Sequence, residues 1–200
     1  MEILNLFSTP VYKNNLTGKD FSVVQEEILK SLEEINFVDT NKLNSELFDP
    51  LNTKVSSNIE DSNFLYEYNC TNMIQFISDS VVSYLKDIGL RGEVKFEILN
   101  SWITCIDNKH HIQTHHHEGV GISGIYYYKT NGEDGNLFLS SPTKYMQISN
   151  IFKRCNPNQS FEIIPENGMI VLFPSWIDHG VRSNMTDDDR ISIAFNINFR

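Results

Sequence analysis

The run Arg190-Ile191-Ser192-Ile193-Ala194-Phe195-Asn196 alternates strictly and sets the reading of the whole chain. On a β-strand, residues two apart point to the same side. Arg190, Ser192, Ala194 and Asn196 therefore share one face, and Ile191, Ile193, Phe195 and Ile197 share the other. An antiparallel strand with one solvated face carries this pattern. So does a strand whose polar face lines the inside of a barrel. In the second case the arginine needs an anionic partner, because a buried charge without one is costly. A bound dicarboxylate supplies that partner, since guanidinium pairs with carboxylate in a planar, bidentate way and Ser192 can donate to the same group.

Upstream of this strand the period is 2 back to Arg91-Gly92. Strands are expected at Glu93–Leu99, Trp102–Ile106, Ile112–His117, Gly121–Tyr128, Asn136–Ser140, Met146–Ile148, Phe161–Ile164, Met169–Phe173, His179–Val181 and Arg190–Phe199. Turn chemistry separates many of them, as in Asn131-Gly132-Glu133-Asp134-Gly135 and Pro165-Glu166-Asn167-Gly168. Before Arg91 the period is near 3.6. Phe21, Val24, Ile28, Leu32 and Ile35 form one apolar stripe behind a cap at Asp20, and a second helix falls within Thr71–Ile88, stopped at Gly89. Leu6-Phe7-Ser8-Thr9-Pro10-Val11-Tyr12 reads as an edge strand or extended arm, because proline lacks the ladder donor. Residues 39–61 are polar, form a long loop and are a candidate lid. The fold class expected is α+β, mainly β: a jelly roll backed by two to three N-terminal helices, with no repeat and no linker. One domain spans residues 1–200, with a helical and arm region over about 1–92 and the jelly-roll core over about 93–200.

The formal charge of −10 argues against a groove that tracks phosphates, so direct nucleic-acid binding is not expected. No apolar run reaches the roughly 20 residues that cross a bilayer, and Met1-Glu2-Ile3-Leu4-Asn5-Leu6 lacks the basic start of a signal peptide. Cys70, Cys105 and Cys155 are odd in number and scattered, which indicates neither a disulfide framework nor a zinc ribbon. A reducing cytoplasm is the expected location.

Five of the six histidines lie in His110-His111-Ile112-Gln113-Thr114-His115-His116-His117-Glu118. The sixth, His179, follows Phe173-Pro174-Ser175-Trp176-Ile177-Asp178. Strand alternation puts His115 and His117 on one face, and with His179 they form a three-histidine set with open metal positions. The same period puts His116 and Glu118 on the opposite face, where with His179 they form a two-His, one-carboxylate set. Both sets suit non-haem Fe(II). His110 and His111 precede the strand and are not expected to be ligands. Trp102 and Thr104 are candidate pocket walls. Tyr126, Tyr127 and Tyr128 read as core and sheet-face aromatics, although Tyr126 or Tyr128 could reach a bound ligand.

These motifs resemble a known family. Trp102, the His115-x-His117 run leading into Ser123-Gly124-Ile125-Tyr126-Tyr127, the Gly168…Leu172-Phe173-Pro174-Ser175-Trp176…His179-x-Val181 segment and Arg190-Ile191-Ser192-Ile193-Ala194-Phe195-Asn196 look like the Fe(II)/2-oxoglutarate-dependent oxygenases found in phages and marine bacteria. The likeness covers residues 96–199 and the N-terminal arm. It implies a double-stranded β-helix (jelly roll) and a dioxygenase of hydroxylase type. It also implies Fe(II) bound by His115, His117 and His179, 2-oxoglutarate held as cosubstrate by Arg190 and Ser192, and O2 as oxidant. Glu118 departs from the proline usual in that group, which keeps the His116/Glu118 set open. Two other readings share the histidine geometry: a cupin-like three-histidine enzyme that uses no 2-oxoglutarate, and a non-catalytic metal-binding jelly roll. The substrate, a small molecule or a protein side chain, is not encoded in any of these motifs.

Overall fold

The computed structural model describes residues 8–35, 37–39, 54–56, 62–143, 154 and 160–200. The expected strand Met146–Ile148, Leu6-Phe7 of the arm and most of the candidate lid lie outside the described residues. The chain runs β1 (Tyr12–Asn15), α1 (Gly18–Glu34), β2 (Val38–Asp39), β3 (Lys54–Val55), α2 (Phe64–Glu67), α3 (Thr71–Asp87), β4 (Phe96–Ile106), β5 (Ile112–His115), β6 (Ile122–Lys129), β7 (Leu137–Ser140), β8 (Ser160–Ile163), β9 (Met169–Pro174), β10 (His179–Val181) and β11 (Arg190–Phe199).

Alternation along the strands creates two cores. The larger sheet has the order β1-β9-β6-β11-β4-β3-β2, and the smaller has the order β5-β10-β7-β8. One face of the larger sheet presents Ile103, Tyr126, Ile170, Ile193 and Ile197, which bury against Val24 and Ile28 of α1, Phe64 and Leu65 of α2, and Met73, Ile77 and Val81 of α3. Each fully buried aliphatic there contributes roughly 1.5–3 kcal/mol. The opposite face presents Ile125, Tyr127, Val171 and Phe173, which meet Leu137, Leu139 and Ile163 of the smaller sheet. This is a jelly roll backed by helices.

Several expectations shift in detail. The strands foreseen at Glu93–Leu99 and Trp102–Ile106 are one strand, β4, because it pairs with β11 from Phe199↔Phe96 to Arg190↔Ile106 with only a bulge at Asn196/Ile197. The cap expected at Asp20 falls to Thr17, since α1 starts earlier and Asp20 sits in its first turn. The short α2 carried no periodic signal. Tertiary contacts fix it: Leu65 N–H donates to Ser101 Oγ (3.0 Å), which itself donates to Asn63 Oδ1 (2.7 Å). The arm's edge strand begins two residues after Pro10 and pairs with β9.

Candidate metal centre

Two strands of the smaller sheet build most of the centre. His115 ends β5 and stands directly opposite His179, which begins β10. Their rings lie 4.3 Å apart by centroid. His117 is not on a strand, because β5 stops at His115. Its backbone N–H instead donates to the Ser175 carbonyl (3.0 Å), tying it to the segment that follows β9. This brings its ring to 5.1 Å from His115 and 5.3 Å from His179. The ligand nitrogens of all three lie within 4.8 Å of one another.

The hydrogen bonds decide which nitrogen each ring can offer. His115 Nδ1 lies 2.9 Å from the Gln113 carbonyl, and His179 Nδ1 lies 2.8 Å from the Ile177 carbonyl. A carbonyl only accepts, so each Nδ1 carries the proton and each Nε2 keeps a free lone pair. Burial pushes all three rings below the ordinary histidine range: His117 to about 4 and His179 to about 3, with the neighbouring histidines adding like-charge repulsion. They are therefore neutral near pH 7, which is the form that binds metal. Trp102, 6.3 Å from the His117 ring, and Phe173, 4.6 Å from the His179 ring, wall the centre with aromatic surface.

The rival pair points elsewhere. His116 Nδ1 lies 3.1 Å from Asp178 Oδ1, and its Nε2 lies 3.7 Å from Glu118 Oε1. The His116 side chain is 46% exposed and that of Glu118 is 92% exposed. Both stand outside the cluster. His110 and His111 are not in it either; the backbone of His110 braces the loop by bonding Asp107 and Asn184.

Arg190 is fully buried on the polar face of β11. Nη1 donates to the Gly135 carbonyl (2.9 Å), while Nε and Nη2 have no partner among the described residues. Its Cζ sits 5.5 Å from the centre of the Tyr127 ring, whose hydroxyl likewise has no partner among the described residues. Burial pushes Tyr127 up to about 12, and burial lowers Arg190 from its ordinary value, although a guanidinium still keeps its charge at neutral pH. Asp134, itself buried and anchored by Thr130 Oγ1 (2.6 Å) and Asn131 N–H (3.0 Å), supplies part of the compensating negative field. Gly135 holds its carbonyl there with φ +102°, and a Cβ at that position would collide with the Arg182 carbonyl oxygen.

One cavity is lined by His115, His117, His179, Thr104, Trp102 and Ser192. Arg190 lies one strand repeat beyond Ser192 on the same side of β11. Three unforeseen residues contribute here: Tyr127, Asp134 and Gly135. Parity would have found Tyr127, because it pairs with Ser192 across β6–β11, whereas Tyr126 packs on the helical side. Asp134 and Gly135 read only as a turn.

The residues fit a divalent metal beside an anion. Three neutral imidazoles carry no charge to oppose a cation, and two orphaned guanidinium nitrogens at the far end call for oxygen acceptors. Residues 100–196 match a family model described as "Putative 2OG-Fe(II) oxygenase". That match spans just under half of the chain, and the fold of the whole chain is similar to that of solved 2-oxoglutarate- and Fe(II)-dependent oxygenases. A prolyl-4-hydroxylase from Pseudomonas putida superimposes with a TM-score of 0.61 at 11% identity, covering 98% of this chain and 95% of that one. A prolyl hydroxylase from Trichoplax adhaerens, solved with a hypoxia inducible factor peptide fragment, gives 0.63 at 16% identity, covering 96% and 85%. HygX from Streptomyces hygroscopicus, solved with nickel, 2-oxoglutarate and hygromycin B, gives 0.60 at 13% identity, covering 95% and 83%. At such identities the likeness is one of fold, the double-stranded β-helix. No curated protein sequence matches the chain.

Proposed function

We propose that this protein is an Fe(II)- and 2-oxoglutarate-dependent oxygenase that hydroxylates its substrate and releases succinate and CO2. His115, His117 and His179 hold the iron. Arg190 and Ser192 hold the distal carboxylate of 2-oxoglutarate. The observation that carries this reading is Arg190: a fully buried guanidinium whose Nε and Nη2 have no partner among the described residues, beyond one end of a cavity whose wall includes three converging imidazoles.

Iron, when bound, supplies the activation of O2 coupled to oxidative decarboxylation of the cosubstrate. The chain does the rest. The Gln113 and Ile177 carbonyls lock two rings in the tautomer that offers Nε2. Gly135 and Asp134 hold Arg190 in place, so its remaining N–H groups can fix one carboxylate and thereby the register of the whole cosubstrate. Trp102 and Phe173 border the metal side of the cavity with apolar aromatic surface.

Anaerobic addition of Fe(II) and 2-oxoglutarate is expected to give a weak visible charge-transfer band, and aerobic incubation to give succinate. Absence of both sinks the proposal. A second reading has one observation in its favour: among the described residues no carboxylate joins the three histidines, and a purely histidine set also serves dioxygenases that use no 2-oxoglutarate. A metal-loaded protein that consumes O2 yet never forms succinate would select that reading.

A further inference from the structure

Strand β11 measures out the cavity. Arg190, Ser192, Ala194 and Asn196 succeed one another on one face, about 6.7 Å apart for each pair of residues. Across the ladder, Ser192 stands between Thr104 and Tyr127, Ala194 between Trp102 and Ile125, and Asn196 between Asn100 and Ser123. The metal centre belongs to the middle level, because the Trp102 ring is the one beside His117. The cavity therefore has a second polar end, on the side of the centre away from Arg190.

That end is built with care. Asn196 is 2% exposed, and both it and Ser123 line the same cavity as the three histidines. Ser123 Oγ donates to Asn196 Oδ1 (2.8 Å), and Asn196 Nδ2 donates to Asn100 Oδ1 (2.9 Å). The two bonds fix the carboxamide plane across three strands. A primary amide has two N–H donors, so one remains without a partner among the described residues. Leaving a buried donor unsatisfied is unfavourable unless something else satisfies it. Apart from the histidines, the described residues lining this cavity are uncharged, and Trp102, Ile125 and Phe173 give it apolar walls.

We infer that Asn196, oriented by Ser123 and Asn100, positions the primary substrate by donating its free N–H to a neutral carbonyl group next to the carbon that is oxidised. This rests on the oxygenase reading for what happens to that carbon, and on the cavity alone for what binds there. The substrate class is an uncharged carbonyl compound, either a peptide-like amide or a ring lactam such as that of a nucleobase. A carboxylate or phosphate at that position would meet no cation of the wall.

The test has a readout that needs no iron. The Asn196 side-chain amide is identified in the 15N spectrum of the metal-free protein by its loss in Asn196→Asp, and is then followed on titration with N-acetylglycinamide, thymidine or, as charged controls, glycine and glutarate. The amide resonance is expected to move with a neutral carbonyl probe; which of the two moves it separates the amide source from the lactam source. In the Fe(II)- and 2-oxoglutarate-loaded protein, Asn196→Ala should raise the half-saturating concentration of that probe about tenfold. The same substitution should change half-saturation by 2-oxoglutarate by less than about twofold, because the cosubstrate is held at the other end. Ser123→Ala, which frees the amide plane but keeps the donor, should give a smaller rise and serves if Asn196→Ala fails to fold. An amide resonance unmoved by both neutral probes, or probe affinity untouched in a folded variant, overturns the assignment. If instead the wild-type charge-transfer band never forms, the oxygenase reading fails, while the amide titration still decides the role of Asn196.

Discussion

Replacing Arg190 with methionine should leave ligand-free stability nearly unchanged while removing most of the affinity for 2-oxoglutarate. The guanidinium is fully buried and, among the described residues, makes one hydrogen bond, to Gly135, with Tyr127 beside it. Exchanging a buried, under-compensated charge for an apolar side chain of similar length is typically neutral or stabilising by about 1–4 kcal/mol. Against this stand roughly 1 kcal/mol for the lost hydrogen bond and about 0.5–2 kcal/mol for the ring contact. These terms nearly offset one another, so the ligand-free variant should unfold within about 3 kcal/mol of the wild type. Cosubstrate binding has no such offset. Without Arg190 the distal carboxylate would be buried unpaired, at a cost of about 3–5 kcal/mol, equivalent to a loss of about 10²–10⁴-fold in affinity. Arg190→Lys should fall between, since a point charge cannot reproduce the fork. The assays are chemical denaturation of the metal-free protein and anaerobic titration of the charge-transfer band with 2-oxoglutarate. If Arg190→Met binds 2-oxoglutarate within about threefold of wild type, Arg190 does not hold the carboxylate. If the variant loses more than about 3 kcal/mol of ligand-free stability, Arg190 is a structural strut.

The remaining expectations concern the metal and its support. His115→Ala, His117→Ala and His179→Ala should each abolish the charge-transfer band, whereas His116→Ala, which removes a ring already paired with Asp178 and half-exposed, should keep it; loss of the band in His116→Ala would return the rival ligand set to contention. In the metal-free protein, stability should be full above about pH 6.5 and fall as the pH drops toward 3. Unfolding releases His117 from about 4 and His179 from about 3 to the ordinary value near 6.5, so across that window the unfolded chain binds more protons. Each histidine adds a slope of up to about 1.4 kcal/mol per pH unit, and a His179→Gln variant with an unchanged slope between pH 4 and 6 would contradict this. Gly135→Ala forces a side chain onto φ +102° and against Arg182, which should destabilise by about 1–3 kcal/mol and weaken 2-oxoglutarate binding through Arg190; unaltered binding would detach Gly135 from the site.

Much of the architecture was legible because it rests on local periodicity. The bounds of β11 and nearly those of α3 follow from apolar spacing, since a strand or helix buried on a defined face must repeat at 2 or 3.6 residues. The short α2 was not legible: four residues hold no period, and Ser101 on a distant strand fixes its first turn. Asp20 is a good cap by chemistry, but the helix already begins at Gly18, so Asp20 falls in its first turn.

The histidines show the division most clearly. The sequence by itself determined that β11 would put Arg190, Ser192 and Asn196 on one side, because alternation is a property of the extended backbone and needs no partner. It also determined that His115 and His117 could converge, though alternation is not how they do so. The strand ends at His115, and only the hydrogen bond from His117 to Ser175, together with the pairing of His116 with Asp178, decides which ring turns inward. Likewise only the β5–β10 register sets His179 across from His115. Those choices depend on contacts between segments sixty residues apart, and such contacts exist only once the two sheets have closed.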